Sequence, residues 1–126
     1  MAEWPAYWPS EVIDWYESLA SRFGWSQHAI EGVIANVEYL RRLQESDLPR
    51  SYLQGEFEGV RWLWEAVRAG DELVAVRQVE IGPDGLARRY SWRRREDDAG
   101  FLTDQALEPR EDLAPLSRET FLSAWS

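Results

Sequence analysis

The spacing of apolar residues changes once along this chain of 126 residues. From residue 10 to about residue 70, apolar residues recur every three or four positions, which is the spacing of one face of an α-helix. Over residues 73–81 the chain instead carries a run rich in β-branched residues, which is typical of a strand. The length favours a single domain over residues 1–126.

Two helices are predicted in the first part of the chain. The first begins at Ser10, which can cap a helix, and ends at Gly24, a typical C-terminal stop. Ser26 caps a second helix that runs to about Glu45. The second helix has a clear apolar stripe, formed by Ile30, Val33, Ile34, Val37, Leu40 and Leu43.

A third helix is predicted over residues 51–70, because Ser51 to Gln54 has the form of a capping box. Its apolar face would consist of Leu53, Phe57, Val60, Trp64 and Val67. Gly55 and Gly59 would each weaken a helix by about 1 kcal/mol relative to alanine, which close approach of another element would offset. A strand over residues 56–64 is the alternative.

A β-hairpin and a final helix are predicted in the second part of the chain. Gly82 to Gly85 reads as a turn between residues 73–81 and a return strand over residues 86–95. A three-residue loop would place Glu80 opposite Arg88. Ser117 caps a short C-terminal helix, with Trp125 packing back on the domain.

The predicted fold class is therefore α+β. It has three N-terminal helices packed on a small antiparallel β-hairpin sheet, and a short C-terminal helix closes it. The parts are an extended aromatic arm over residues 1–9, a helical part over 10–70, a hairpin part over 71–103 and a C-terminal helix over 116–125.

The composition of the chain argues against several kinds of functional site and against a membrane or secreted location. The absence of Cys rules out disulfides, thiol catalysis and thiolate zinc sites. The single histidine, His28, argues against a structural zinc site. No phosphate-binding glycine loop, dinucleotide fingerprint or nucleophile elbow is present, so no metal, cofactor or catalytic residue is predicted. No apolar stretch approaches the ~18 residues of a membrane span, and the N-terminus does not read as a signal peptide. We therefore expect a cytoplasmic protein with no membrane partner.

Charge points to a kind of partner. The chain carries 23 acidic residues against 14 basic ones, all of them Arg, for a net charge of −9. Such a domain repels phosphate backbones, so nucleic acid is an improbable partner, while a basic protein would be steered toward it. The acidic residues predicted to meet that protein lie on the first two helices: Glu11, Asp14, Glu17, Glu31 and Glu38.

Two other functions stay open. Arg88, Tyr90, Trp92 and Arg94 would share one face of the return strand and could bind nucleic acid or a phosphorylated ligand. The alternative is an edge strand whose rings join the core and whose guanidinium groups pair with acids. A hydrolase with two carboxylates brought together by the fold is the third candidate, since such pairs need no fixed spacing.

The segment from about Glu72 to Trp125 resembles a family of short bacterial proteins of unknown function. The residues that carry the resemblance are Val76 to Glu80, Asp84-Gly85, Leu116 to Phe121 and Trp125. The resemblance covers less than half of the chain and implies an α+β bacterial domain, with no activity or site residues to transfer.

The leading functional hypothesis is a small acidic cytosolic module that binds another protein. Small bacterial immunity proteins, which neutralise basic toxins, are the analogy. The hypothesis depends on net charge, on the lack of catalytic groups and on an aromatic surplus that includes eight Trp. The oligomeric state stays open.

Overall fold

The computed structural model describes residues 3–108 and 111–126 as two N-terminal helices, five strands and a C-terminal helix. The helices are α1 (Ser10–Phe23), α2 (Gln27–Glu45) and α3 (Arg118–Trp125). The strands are β1 (Arg50–Phe57), β2 (Val60–Ala69), β3 (Glu72–Ile81), β4 (Ala87–Tyr90) and β5 (Ala114–Pro115).

The strands form one antiparallel sheet in the order β4-β3-β2-β1-β5. Its two faces are defined by residues that stand opposite one another in neighbouring strands. The front face carries the row Gly55, Trp62, Glu80 and Arg88, and the next row Leu53, Trp64, Gln78 and Tyr90. The back face carries the row Tyr52, Glu65 and Arg77.

The helices α1 and α2 pack on the front face and build the main core. Tyr16 of α1 is fully buried there; its hydroxyl donates to the carbonyl oxygen of Trp92 at 2.6 Å and accepts from the amide of Arg95 at 3.2 Å. The buried members of this core are Trp8, Val12, Tyr16, Leu19, Val37, Leu40, Trp64, Ala66, Leu73, Ala75, Tyr90, Trp92, Leu102 and Leu107.

The C-terminal helix α3 covers part of the back face. Phe121 is fully buried and packs with Leu63 and Val79. The guanidinium of Arg89 donates to the carbonyl oxygen of Ala124 at 2.9 and 3.1 Å, which ties β4 to the end of α3. The sheet thus packs against helices on both faces.

The structure confirms three of the predicted helices and two of their three N-terminal caps. The predicted cap at Ser10 is wrong: Ser10 is the first residue of α1, and Pro9 stands at the N-cap position, where no side chain accepts a hydrogen bond. The first ends before Gly24, and the second spans Gln27–Glu45. The side-chain oxygens of Ser26 and Ser117 accept hydrogen bonds from the amides of Ala29 and Thr120, both at 3.1 Å. In the N-terminal arm, Trp8 packs into the core as expected, although residues 1 and 2 of the predicted arm lie outside the described residues.

The predicted third N-terminal helix is wrong. Strands β1 and β2 occupy that part of the chain, and Phe57 pairs with Val60 across a two-residue turn at Glu58 and Gly59. Both turn residues have positive φ, 53° and 83°, as a type I′ hairpin turn requires. The fold is α+β, but two helices precede a five-stranded sheet, and residues 10–70 are not uniformly helical.

The predicted hairpin is confirmed, with a shorter second strand. Glu80 pairs with Arg88, and the amide of Gly82 donates to the carbonyl of Leu86 at 3.1 Å, which leaves the predicted three-residue loop. The return strand ends at Tyr90, five residues before the predicted end at Arg95, because the chain turns at Ser91 and pairs it with Arg94 in an isolated bridge.

No helix within the described ranges is both long enough and apolar enough to cross a membrane.

Replacing Gly59 by alanine distinguishes the hairpin from a helix, because the two structures predict opposite signs for the change in the free energy of unfolding. A helical Gly59 would gain about 1 kcal/mol on becoming alanine. In the turn, the left-handed φ instead makes alanine cost about 1–2 kcal/mol. We expect urea denaturation to show a loss of stability for Gly59→Ala and a smaller loss for Gly59→Asn, because asparagine adopts left-handed φ more readily. A gain for Gly59→Ala would contradict the hairpin.

Candidate functional site

The front face of the sheet is not wholly covered by the helices, and a cleft of about 520 Å³ opens beyond them. Strands β1, β2 and β3 form one side of it, and the connecting segments 99–103 and 112–113 form the other. The lining residues are Gly55, Glu56, Phe57, Trp62, Trp64, Gln78, Glu80, Ala99, Gly100, Phe101, Thr103, Asp112 and Leu113.

Two indoles on β2 form the floor of the cleft. Trp62 and Trp64 lie on the same face because side chains two residues apart in a strand share a face. Opposite Trp62 stands Gly55, where an added Cβ would come within 2.9 Å of the Leu113 side chain. Leu113 therefore packs closely on β1 at the position where β1 has no side chain. Close approach was expected here against a helix, and the structure shows it against a strand instead.

Gln78 attaches one wall of the cleft to its floor. Its side-chain oxygen accepts from the indole nitrogen of Trp64 at 2.8 Å and from the amide of Thr103 at 3.0 Å, and its side-chain nitrogen donates to the carbonyl of Phe101 at 2.9 Å. Gln78 is buried, and these bonds use both lone pairs of its side-chain oxygen and one of its two side-chain N–H groups. The wall over residues 101–103 is thus held in place by the sheet itself.

A second set of hydrogen bonds holds the turn next to this wall. The Tyr90 hydroxyl donates to Asp97 at 2.9 Å, and the same carboxylate oxygen accepts from the amides of Ala99 and Gly100 at 2.8 and 3.0 Å. Burial raises the pKa of the Tyr90 phenol well above its usual range, and the bond to Asp97 and the negative charge of Glu80 raise it further. Tyr90 therefore stays a neutral donor at physiological pH.

The rim of the cleft combines exposed rings with carboxylates. Phe57 and Phe101 are 67% and 60% exposed, which is unusual for rings that a core could have used. Glu56, Glu80 and Asp112 supply three carboxylates, and none of the described lining residues is basic. Aromatic faces attract cations through the ring quadrupole, and carboxylates attract them through charge. This composition fits a guanidinium or ammonium group.

Of the acidic residues predicted to meet a partner, several have partners within the chain. Glu17 and Glu38 accept hydrogen bonds from the indole nitrogens of Trp4 and Trp8, and so hold the N-terminal arm on the helices. Glu11 forms an ion pair with Arg93 at 3.2 Å.

The remaining two predicted acids stay on the surface. Asp14 and Glu31 are exposed, and the cleft is not lined by any of the five. The acidic helix faces are therefore a source of long-range field around the protein, while the cleft lies on a different part of the surface.

The side chains of the Arg-rich segment, residues 88–95, lie in different environments in the structure. Tyr90 and Trp92 are buried in the main core, so neither ring offers a face to a base or a ligand. Arg94 stacks over Trp15 with its guanidinium carbon 4.1 Å from the ring centroid, and Arg88 is exposed on β4. The four residues Arg88, Tyr90, Trp92 and Arg94 do not form one ligand-binding surface.

Metal-binding and catalytic carboxylate sites were also sought among the described residues. Within residues 3–108 and 111–126, no group of three or more His, Asp or Glu side chains lies close enough together to hold a metal ion, and His28 is exposed. The buried carboxylate, Glu65, pairs with Arg77 at 2.8 Å, which is the environment of an ionised group and not of a general acid.

Sequence reasoning missed the cleft residues Trp62, Glu80, Phe101 and Asp112. A usable signal was present in the Glu58-Gly59 turn, because a hairpin at that point puts Trp62 and Trp64 on one face. Assigned to a helix, the same two indoles point in different directions.

Comparison with known proteins adds no family to this description: no family model, no curated protein and no solved structure matches the chain.

Proposed function

We propose that this protein binds a basic protein and receives one of that protein's Arg or Lys side chains in the aromatic and acidic cleft. The main support for the proposal is the cleft itself, which is lined by indole and phenyl rings and by the carboxylates of Glu56 and Glu80, with no basic residue among the described ones that line it. A cation over an aromatic face gains about 0.5–2 kcal/mol, the larger values applying when it is desolvated.

The charge of the whole molecule supports the same kind of partner. A net charge of −9 accelerates encounter with a positively charged protein, and the exposed acids on α1 and α2 contribute to that field. Charge brings the partner close, and a few aromatic anchors supply most of the affinity. Neutralisation of a basic toxin, as by an immunity protein, is the specific form of this function that we propose.

Calorimetric titration with a hexa-arginine peptide tests the proposal, with a hexa-citrulline peptide as the neutral isostere. We expect the arginine peptide to bind and the citrulline peptide not to bind. Phe101→Ala and Glu80→Gln should each weaken the binding by about tenfold, corresponding to about 1.4 kcal/mol. The binding should also weaken as salt is added, because the carboxylates are screened.

Matched controls separate the cleft from general acidity. Phe23 is 59% exposed on α1, so Phe23→Ala removes a ring as exposed as Phe101 from another place. Glu31→Gln removes the same charge as Glu80→Gln from an exposed position on α2. Both controls should change the affinity by less than twofold. If the controls weaken binding as much as the cleft variants do, the cleft is not the site.

A further inference from the structure

A second polar pocket lies on the back face of the sheet, on the side opposite the cleft. It has a volume of about 470 Å³ and is open to solvent. Its lining residues are Gln44, Arg50, Tyr52, Glu65, Arg77 and Arg118. They come from the end of α2, from β1, β2 and β3, and from the start of α3. Three guanidinium groups thus meet in a chain whose net charge is −9.

One carboxylate in the pocket offsets part of this positive charge. Glu65 accepts from Arg77 at 2.8 and 2.9 Å and from the Tyr52 hydroxyl at 2.9 Å, and it lies 3.9 Å from Arg50. Burial raises the pKa of the Glu65 carboxyl, but the hydrogen bonds from Arg77 and Tyr52 and the charges of Arg77 and Arg50 together lower it below its usual range. With Glu65 ionised, the pocket retains two positive charges.

The guanidinium groups keep donors available. Arg77 uses Nε and Nη2 on Glu65, and its plane lies over the rings of Phe121 and Trp125 at 5.4 and 5.1 Å. Arg50 uses Nη2 on the carbonyl oxygens of Gln44 and Ser46 at the end of α2. Each guanidinium has five N–H groups, so N–H groups of both residues stay available to an acceptor in the pocket.

The side-chain oxygen Oε1 of Gln44 is buried and has no hydrogen-bond partner among the described residues. Because this oxygen is closed off from solvent, a ligand in the open pocket does not reach it, and the guanidinium groups determine which ligand fits. A ligand that matches the pocket therefore carries several negative oxygens.

We propose that this pocket binds a phosphate group. Phosphate carries the negative oxygens that Arg50, Arg77 and Arg118 would hold. Arginine recognises phosphate through parallel N–H bonds, which gives such a site its geometry. The volume leaves room for the organic part of a phosphate ester. The site is independent of the cleft, since the two lie on opposite faces of the sheet.

Thermal unfolding at pH 6.5 with inorganic phosphate, at constant ionic strength, tests the site. We expect 10 mM phosphate to raise Tm by about 3–6 °C, the shift for a ligand bound with a millimolar Kd. Chloride at the same ionic strength should give a clearly smaller rise, because it lacks the several oxygens that the guanidinium groups would hold. O-phosphoserine is tested beside inorganic phosphate, and the larger of the two rises in Tm shows whether the pocket prefers an esterified phosphate or the free ion.

Two variants show whether the rise of Tm with phosphate arises in the back-face pocket. Arg118→Gln should abolish most of the shift, because Arg118 lines the pocket and its exposure lets the fold tolerate the change. Arg22→Gln removes an exposed Arg of α1 that pairs with Asp98, and it should leave the shift intact. The proposal is overturned if phosphate gives no rise beyond that of chloride, or if Arg118→Gln keeps the full shift.

Discussion

Phe121→Ala is expected to lower the free energy of unfolding by about 3–5 kcal/mol, the largest effect that we expect from one substitution. The ring is fully buried on the back face, among Leu63 and Val79 and 5.6 Å from the ring of Tyr52. Its removal loses the transfer free energy of the ring and leaves a cavity. It also frees Trp125, which stacks on Phe121 at 6.1 Å and 14°. Urea denaturation followed by circular dichroism measures the loss.

The same measurement on Phe23→Ala provides the control. Phe23 is exposed at the end of α1, so its removal should change the stability by less than about 0.5 kcal/mol. An equal and small effect for both variants would mean that α3 does not pack on the sheet. The back face would then be uncovered, contrary to the fold described above.

Arg77→Ala is expected to lower the free energy of unfolding by about 3 kcal/mol at pH 7, because it leaves the buried Glu65 carboxylate without the guanidinium that holds it. We take the lower end of the range for broken buried ion pairs, since the pocket is open to solvent and the Arg77 side chain is 17% exposed. Arg77 also covers the rings of Phe121 and Trp125, and that packing is lost with it.

The loss of stability in Arg77→Ala should depend on pH, because the substitution changes the pKa of Glu65. In the wild type the pKa of Glu65 is lowered, so the stability that Glu65 contributes is present above its unfolded pKa of about 4.3 and is lost as the pH falls through the folded pKa. In Arg77→Ala, burial dominates and raises the pKa of Glu65. Acidification then protonates Glu65 and removes the cost of burying its ionised carboxylate without Arg77. The difference between the two proteins should therefore shrink between pH 7 and pH 4.

A double variant separates the broken ion pair from lost packing. Glu65→Leu combined with Arg77→Met replaces both charges by apolar groups, and it should cost far less than Arg77→Ala alone. A double variant as unstable as Arg77→Ala, or a difference from wild type that does not change with pH, would show that packing of the Arg77 stem accounts for the loss.

The helices were predictable because each has local signals at its ends. Ser26 and Ser117 each cap the helix that follows, and those caps depend only on residues three positions away. The turn at residues 82–85 likewise determined the register of Glu80 with Arg88 from local sequence. Where neighbours in the sequence decide the structure, the prediction from sequence was correct.

The strands β1 and β2 were mistaken for a helix because both faces of the sheet are covered. Trp62, Trp64 and Ala66 point toward the front, while Leu63 and Val67 point to the other side. Strand alternation between apolar and polar residues disappears when both sides are buried, and the continuous apolar run that results also satisfies a helical spacing. The signal available in the sequence was Gly59, because glycine readily adopts the positive φ that a two-residue hairpin turn requires, and the structure shows positive φ at both Glu58 and Gly59.

The cleft and the back pocket could not be predicted because their residues are distant in the sequence. The cleft joins Gly55 to Leu113, and the pocket joins Gln44 to Arg118. Only the sheet order, which places β1 between β2 and β5, brings these segments together. The Arg-rich segment is the reverse case: its residues are adjacent in the sequence, yet the turn at Ser91 separates their side chains.

We expect the cleft to receive a cationic side chain of the hexa-arginine peptide, and an NMR titration shows this residue by residue. The hexa-arginine peptide is added to ¹⁵N-labelled protein, and the indole N–H of Trp62 and the backbone amides of Gly100 and Phe101 are followed. We predict that these signals shift most. Shifts centred instead on α1 and α2 around Asp14 and Glu31, with the Trp62 indole unchanged, would contradict the claim.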